Sequence, residues 1–241
     1  GIDIRMETGT GKTYCYTRLM YELNKRYGFY KFIVLVPTTP IKEGTRSFIE
    51  ADYAKQHFAD LYPGRNISLS VLNAQKKTKG RKMFPQAISD FARGTRLEKN
   101  RINALLMSSG MLLSKATMDH DYDQTLFGTF TKPYDTLAAT RPIVIIDEPH
   151  KFKVENEAYK RLIERIKPQC VIRFGATFPE NNATGKKDYN NLIYNLGSCE
   201  AFNENLVKGV ATQMIAQESL NETRIKLMDI ITRPKSCVFR N

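Results

Sequence analysis

Apolar residues in this chain come in short unbroken runs: FIVLV at Phe32–Val36, NALLM at Asn103–Met107, PIVIID at Pro142–Asp147 and CVIRFGA at Cys170–Ala176. A strand covered on both faces shows such a run, because side chains pointing either way meet apolar partners. ISLSVL at Ile67–Leu72 alternates more and is expected near a sheet edge. Between these runs the apolar spacing turns helical. Thr13–Tyr27 sets Tyr16, Leu19 and Leu23 on one face and stops at Gly28; Pro40–Tyr53 and Asn156–Ile166 follow the same period. Strand and helix alternate with short connections, which predicts an α/β fold with a doubly wound, mostly parallel sheet and helices on both faces. Segment 115–141 breaks the rhythm with polar, Gly- and Pro-bearing sequence and reads as an insertion or long loop. After about Glu180 strand signals fade, and no second complete α/β set is visible.

The chain's 241 residues, 41% hydrophobic and 26% charged, suffice for a buried core in an ordinary soluble globular protein. No apolar run reaches membrane-span length and no secretory leader opens the sequence, so a cytoplasmic location and no membrane partner are expected. The first residue is Gly1 rather than Met, which suggests a piece of a longer polypeptide. Cys15, Cys170, Cys199 and Cys237 are widely spaced, without a CxxC pair, and read as reduced thiols. Charge adds a sharper clue. The net excess is +12, and nine cations between Lys76 and Arg101 (Lys76, Lys77, Lys79, Arg81, Lys82, Arg93, Arg96, Lys99, Arg101) face only Asp90 and Glu98. Such a surplus attracts polyanions through counterion release; a merely solvated surface is the competing reading.

METGTGKT (6–13) supplies candidate chemistry. Gly9 and Gly11 let backbone N–H groups of Thr8–Thr13 converge on phosphate oxygens, and the following helix points its N-terminus at the same charge. Lys12 would reach the outer phosphates of ATP and the Thr13 hydroxyl would ligate Mg2+, with Thr8, Gly9, Thr10 and Gly11 forming the cradle. A strict phosphate loop has glycine where Met6 stands. IDEPH (146–150) ends a buried apolar strand, where open α/β sheets bind ligands. There Asp147 would hold Mg2+ and Glu148 would polarise an attacking water. FGATFPE (174–180) ends another strand; its small residues allow close backbone approach, and Thr177 is placed to bond toward Glu148 or His150. After two further strands, Thr38, Thr39 and Lys42 in VPTTPIKEGTRSF and Ser108, Ser109 and Gly110 in MSSGML offer hydroxyls and N–H groups suited to nucleic-acid phosphates.

In this order the five motifs resemble motifs I, Ia, Ib or Ic, II and III of a superfamily 2 helicase-type ATPase. DEPH, its continuation IDEPHKF and the later AFNENLVKGV are similar to the restriction (Res) subunit of Type III restriction–modification enzymes. The resemblance runs from about Ile4 to Val210. It implies a RecA-like P-loop fold, ATP and Mg2+ as cofactors, and a motif I that does not require glycine at position 6. It implies roles for Lys12, Asp147, Glu148, His150 and Thr177 in catalysis, His150 linking the nucleotide site to a neighbouring domain. It implies double-stranded DNA and a DNA-methyltransferase (Mod) subunit as partners. Motifs IV to VI, an arginine finger, a PD…ExK nuclease pattern and an adenine-recognition segment are not found in the sequence. The expected organisation is a first RecA-like motor domain over 1–210 and an extension or linker start over 211–241. A second motor domain and a nuclease would belong to the full-length polypeptide, and the fragment alone would hydrolyse ATP weakly or not at all.

Other readings stay open. A general superfamily 2 helicase or a Type I restriction motor shares motifs I to III. A DNA-binding module would grip duplex through the Lys76–Arg101 patch and use nucleotide only structurally. A small-molecule kinase has less support. Tyr14 and Tyr16 read as helix packing, His57 and His120 as surface residues, and Lys151 and Lys153 as either DNA contacts or solvated charges.

Overall fold

The computed structural model describes residues 1–74, 83–94, 97–98, 100–123, 126, 129–152, 156–180, 185, 187–207, 209–212 and 227–231. Seven strands form one sheet: β1 (Ile2–Met6), β2 (Lys31–Val36), β3 (Asn66–Val71), β4 (Arg101–Ser108), β5 (Ile143–Asp147), β6 (Cys170–Gly175) and β7 (Leu192–Leu196). Their order is β3-β4-β2-β5-β6-β1-β7 and every pairing is parallel. The unbroken apolar runs follow from burial on both sides. In β2, Ile33 and Leu35 enter one core while Phe32, Val34 and Val36 enter the other; β4 and β5 divide in the same way. Helices α1 (Lys12–Tyr27), α2 (Thr39–Glu50) and α3 (Asp52–Leu61) cover one face. Helices α4 (Gln86–Arg93), α5 (Pro133–Thr140) and α6 (Glu157–Arg161) cover the other, the last running into a π-helical turn over Leu162–Ile166. The doubly wound parallel α/β sheet is as expected, and β3 does lie at its edge.

Four features differ from the sequence reading. First, β1 was not expected, because Asp3 and Arg5 interrupt its apolar pattern. Asp3 is fully buried against Arg173 of β6, with Nε to Oδ1 at 2.7 Å and Nη2 to Oδ2 at 2.8 Å. Second, the helix expected over Pro40–Tyr53 ends at Glu50. Ala51 turns extended, and Asp52 opens α3 with an acid in its first turn, favourable beside the helix dipole. Third, segment 115–141 is no plain loop. Met118, Tyr122, Leu126, Tyr134 and Leu137 are buried in the core, and Pro133 starts α5, a position where its missing N–H is not needed. Fourth, the region after Glu180 adds β7, a short helix α7 (Ser198–Asn203), and an antiparallel pair of β8 (Gly209–Thr212) and β9 (Leu227–Ile231). Strand β7 eluded the pattern because it is an edge with Leu192, Ile193 and Tyr194 exposed.

Candidate nucleotide and metal site

The parallel register brings the motif-bearing turns to one edge of the sheet. Strands β1, β2, β4, β5 and β6 all end there, with Val36 beside Ser108, Leu35 beside Ile146 and Asp147 beside Phe174. The loop after β1 folds back through Gly9 and Gly11, at φ 86° and 88°, a left-handed backbone that glycine adopts without strain. Gly11 then caps α1, which begins at Lys12. Beneath the loop Tyr16 is fully buried; its hydroxyl lies 2.9 Å from Thr45 Oγ1 and also engages Thr13. Burial, and to a lesser degree the charge of Asp147, push its pKa well above the ordinary tyrosine range.

Lys12 and Glu148 meet across β6. Lys12 Nζ is 3.1 Å from Glu148 Oε1, with only 9% and 17% of the two side chains exposed. Glu148 takes a left-handed backbone (φ 57°), and its N–H donates to Phe174 O at 2.9 Å. Strained non-glycine geometry of this kind concentrates at functional sites. His150 Nδ1 lies 3.3 Å from Glu148 Oε2, without the alignment of a hydrogen bond. Gly175 is what lets this turn sit so close. A Cβ there would lie 2.4 Å from Pro149 Cδ, as its small size suggested from the sequence. Gly175→Ala is expected to lower stability by about 1–3 kcal/mol through overpacking. Urea unfolding measures it, and an unchanged midpoint would refute the tight approach.

Asp147 is 6% exposed and its Oδ1 has no hydrogen-bond partner. Burial pushes its carboxyl up to about 6; the charge of Glu148 adds to the rise, and that of Lys12 opposes it. A buried carboxylate oxygen left without a donor fits a hard divalent cation such as Mg2+, which prefers oxygen ligands. Among the described residues no group of three His, Cys, Asp or Glu could hold a metal by itself, so water or phosphate oxygens would complete the shell. The shift also fixes a stability effect. With the folded pKa above the ordinary 3.8, ionised Asp147 disfavours the fold; the penalty is absent below about pH 4 and complete above about pH 6. Asp147→Asn should therefore gain about 1–3 kcal/mol at pH 8 and nothing at pH 4 in metal-free urea titrations. Equal effects at both values would contradict this.

The remaining expected residues are less uniformly placed. Thr38 and Thr39 are exposed at the start of α2; Ser108 and Ser109 are half-buried, and Gly110 is exposed in a 3-10 turn over Ser109–Leu113. Lys42 is buried instead, its ammonium donating to Asn73 Oδ1 at 2.5 Å, because an inward-facing helix position leaves it no path to solvent. Thr177 is exposed and makes no hydrogen bond to Glu148 or His150. Tyr14 packs on Phe58, with ring centroids 5.4 Å apart, and its hydroxyl pairs with exposed His57 at 3.0 Å. His120 packs edge-on against Tyr122, and Lys151 is exposed. Of the basic patch, Arg93 and Arg101 are exposed; Lys76, Lys77, Lys79, Arg81, Lys82, Arg96 and Lys99 lie outside the described residues, as do Lys153 and Cys237.

Three residues outside the expected set also bear on the loop. Arg5 Nε donates to Ala176 O at 3.2 Å, and Ser198 Oγ donates to Glu7 Oε2 at 2.5 Å. The acid inside METGTGKT was the available signal for Glu7; nothing local marks Ser198.

Comparisons with known proteins place the chain in a family by sequence. The family described as Type III restriction enzyme, res subunit, matches residues 1–180. The Type III restriction-modification enzyme StyLTI Res subunit of Salmonella typhimurium is 47% identical over 219 residues, which span 87% of this chain and 22% of that protein. The EcoPI Res subunit of Escherichia phage P1 is 44% identical over 212 residues, 87% of this chain and 21% of that protein. The chain thus spans about a fifth of the length of these relatives. A nuclease-deletion mutant of the Type ISP restriction-modification enzyme LlaGI, solved with a DNA substrate mimic, covers 85% of this chain and 18% of its own. Its 13% identity and TM-score of 0.47 add nothing to the assignment, which rests on the sequence matches. The chain belongs to the family of Type III restriction enzyme Res subunits.

Proposed function

We propose that this chain is the part of a Res subunit that binds and hydrolyses Mg·ATP to drive movement on double-stranded DNA. The observation that carries the proposal is the Lys12–Glu148 pair beside Asp147, whose buried Oδ1 has no donor. Backbone N–H groups of residues 8–13 and the ammonium of Lys12 would receive the phosphates. Asp147 and Thr13 would hold Mg2+, which supplies charge neutralisation of the phosphate oxygens. Glu148, which pairs with Lys12, would orient an attacking water and accept its proton once the phosphates engage Lys12. The exposed turn at 38–39 and the half-buried turn at 108–110 follow strands that end on the same side of the sheet and would meet the DNA backbone. A second motor domain and a nuclease in the full-length polypeptide, and a methyltransferase Mod subunit, are its proposed partners.

Calorimetric titration of the chain with Mg·ATP tests the reading. Saturable binding that needs Mg2+ and weakens as pH falls through about 6, where a proton competes for Asp147, is the expected result. A folded chain that binds no Mg·ATP overturns it. Duplex binding indifferent to both nucleotide and Glu148→Gln would favour a DNA-binding module instead.

A further inference from the structure

The phosphate loop is gripped from outside by a residue that the chemistry above does not use. Glu7 Oε1 accepts the Thr8 N–H at 2.9 Å and Oε2 accepts the Ser198 hydroxyl at 2.5 Å. The Glu7 carbonyl accepts both the Thr10 N–H at 3.3 Å and the Thr10 hydroxyl at 2.7 Å. One residue thus fixes the first half of the loop. Its anchor is itself pinned: Ser198 opens α7, where Glu200 Oε2 accepts the Gly197 N–H at 2.9 Å. Two positions earlier, near the end of β1, Arg5 donates Nη1 to Asn195 of β7 at 3.3 Å and Nε to Ala176 O. The stem of the loop therefore holds β7 and α7 at two points.

The bond from Ser198, then that from the Thr8 N–H, keeps the Glu7 carboxyl below the usual carboxylate range, with the charges of Lys12 and Arg5 assisting. An ionised carboxylate beside the seat of a polyphosphate is repulsive. It aids binding only if the shape it imposes on the loop outweighs that charge. We propose that Glu7, tied to α7 through Ser198, is a positioning residue that orients the loop N–H groups for a nucleoside triphosphate; this rests on the reading of residues 8–13 as a nucleotide loop.

The two contributions separate by sign. Glu7→Gln keeps an acceptor for the Thr8 N–H and drops the charge, so Mg·ATP affinity should hold or tighten by up to about 3-fold at low salt, less at high salt. Glu7→Ala loses the bonds and should weaken affinity about 10-fold. Ser198→Ala should weaken it by about 3-fold, and the double variant Glu7→Ala/Ser198→Ala should be no worse than Glu7→Ala alone, as for residues acting through one contact. Calorimetry on the chain reads all four, with thermal melting alongside. Tighter binding in both Glu7 variants would mean that charge alone matters and would overturn the proposal. So would unchanged binding in Glu7→Ala, or equal losses in both variants with a lowered melting point. If wild type binds and Lys12→Ala does not while Glu7→Ala is unaffected, this inference alone falls; if wild type does not bind, the nucleotide reading falls and takes it along.

Discussion

Lys12→Ala is expected to weaken Mg·ATP binding about 100-fold, the order of a charge-assisted bond to phosphate at the upper end of its range. Two effects add. The loop loses its side-chain cation, which lies 3.1 Å from Glu148, and Glu148 then stands without that cation where the proposed phosphate would approach. Asp147, already pushed up to about 6 with Lys12 opposing the rise, should titrate higher still, so residual binding should shift to higher pH. Calorimetry across pH 6 to 8 checks both statements. A loss below about 3-fold, well short of one ordinary charged hydrogen bond, would remove Lys12 from the site.

The second large effect concerns stability. Arg173 and Asp3 are both fully buried, and Arg173 also donates to Asp188 O at 2.7 Å and lies 5.4 Å above the ring of Phe178. Asp3 has one further donor, the Asn190 N–H at 2.6 Å. Arg173→Met would leave that carboxylate in the core without its cation, a loss of about 3–5 kcal/mol. Domains typically hold only about 5–15 kcal/mol in total. Replacing both residues by apolar ones of similar volume should recover most of the loss, since an ion pair taken out of water contributes little net stability. Urea unfolding at pH 7 distinguishes the outcomes: a single-variant loss under about 1 kcal/mol would show that water reaches the pair.

The same pair explains how much of the fold could be read from sequence. Strands β2, β4 and β5 announced themselves because a doubly covered strand is apolar along most of its length, and β6 did so despite Arg173 in its middle. In β1 the equivalent position is Asp3, whose burial becomes intelligible only once Arg173, 170 residues away, is seen beside it. Strand β7 was missed for another reason: its apolar run is only Leu192, Ile193 and Tyr194, a short stretch that stays exposed at the sheet's edge. Pro133, read as a breaker, occupies a helix start where proline is tolerated. In the site, residues 8–13 and Asp147–Glu148 were legible because loop glycines and strand-end carboxylates state their chemistry locally. The directions of Lys42 and Thr177 were not, because neighbours distant in sequence decide where a side chain points. Nor was Ser198, which reaches Glu7 across 191 residues.

Strand order has a last consequence. From β4 to β1 the sheet passes through β2, β5 and β6, four steps of about 4.8 Å, or about 19 Å in all. A nucleic-acid phosphate held at 108–110 and a nucleotide phosphate held at 8–13 would thus be separated by more than twice the roughly 8 Å screening length of physiological salt. Neither would feel much of the other's charge through solvent. Any influence of one on the other would have to travel as displacement, strand end to strand end, through the turns between them.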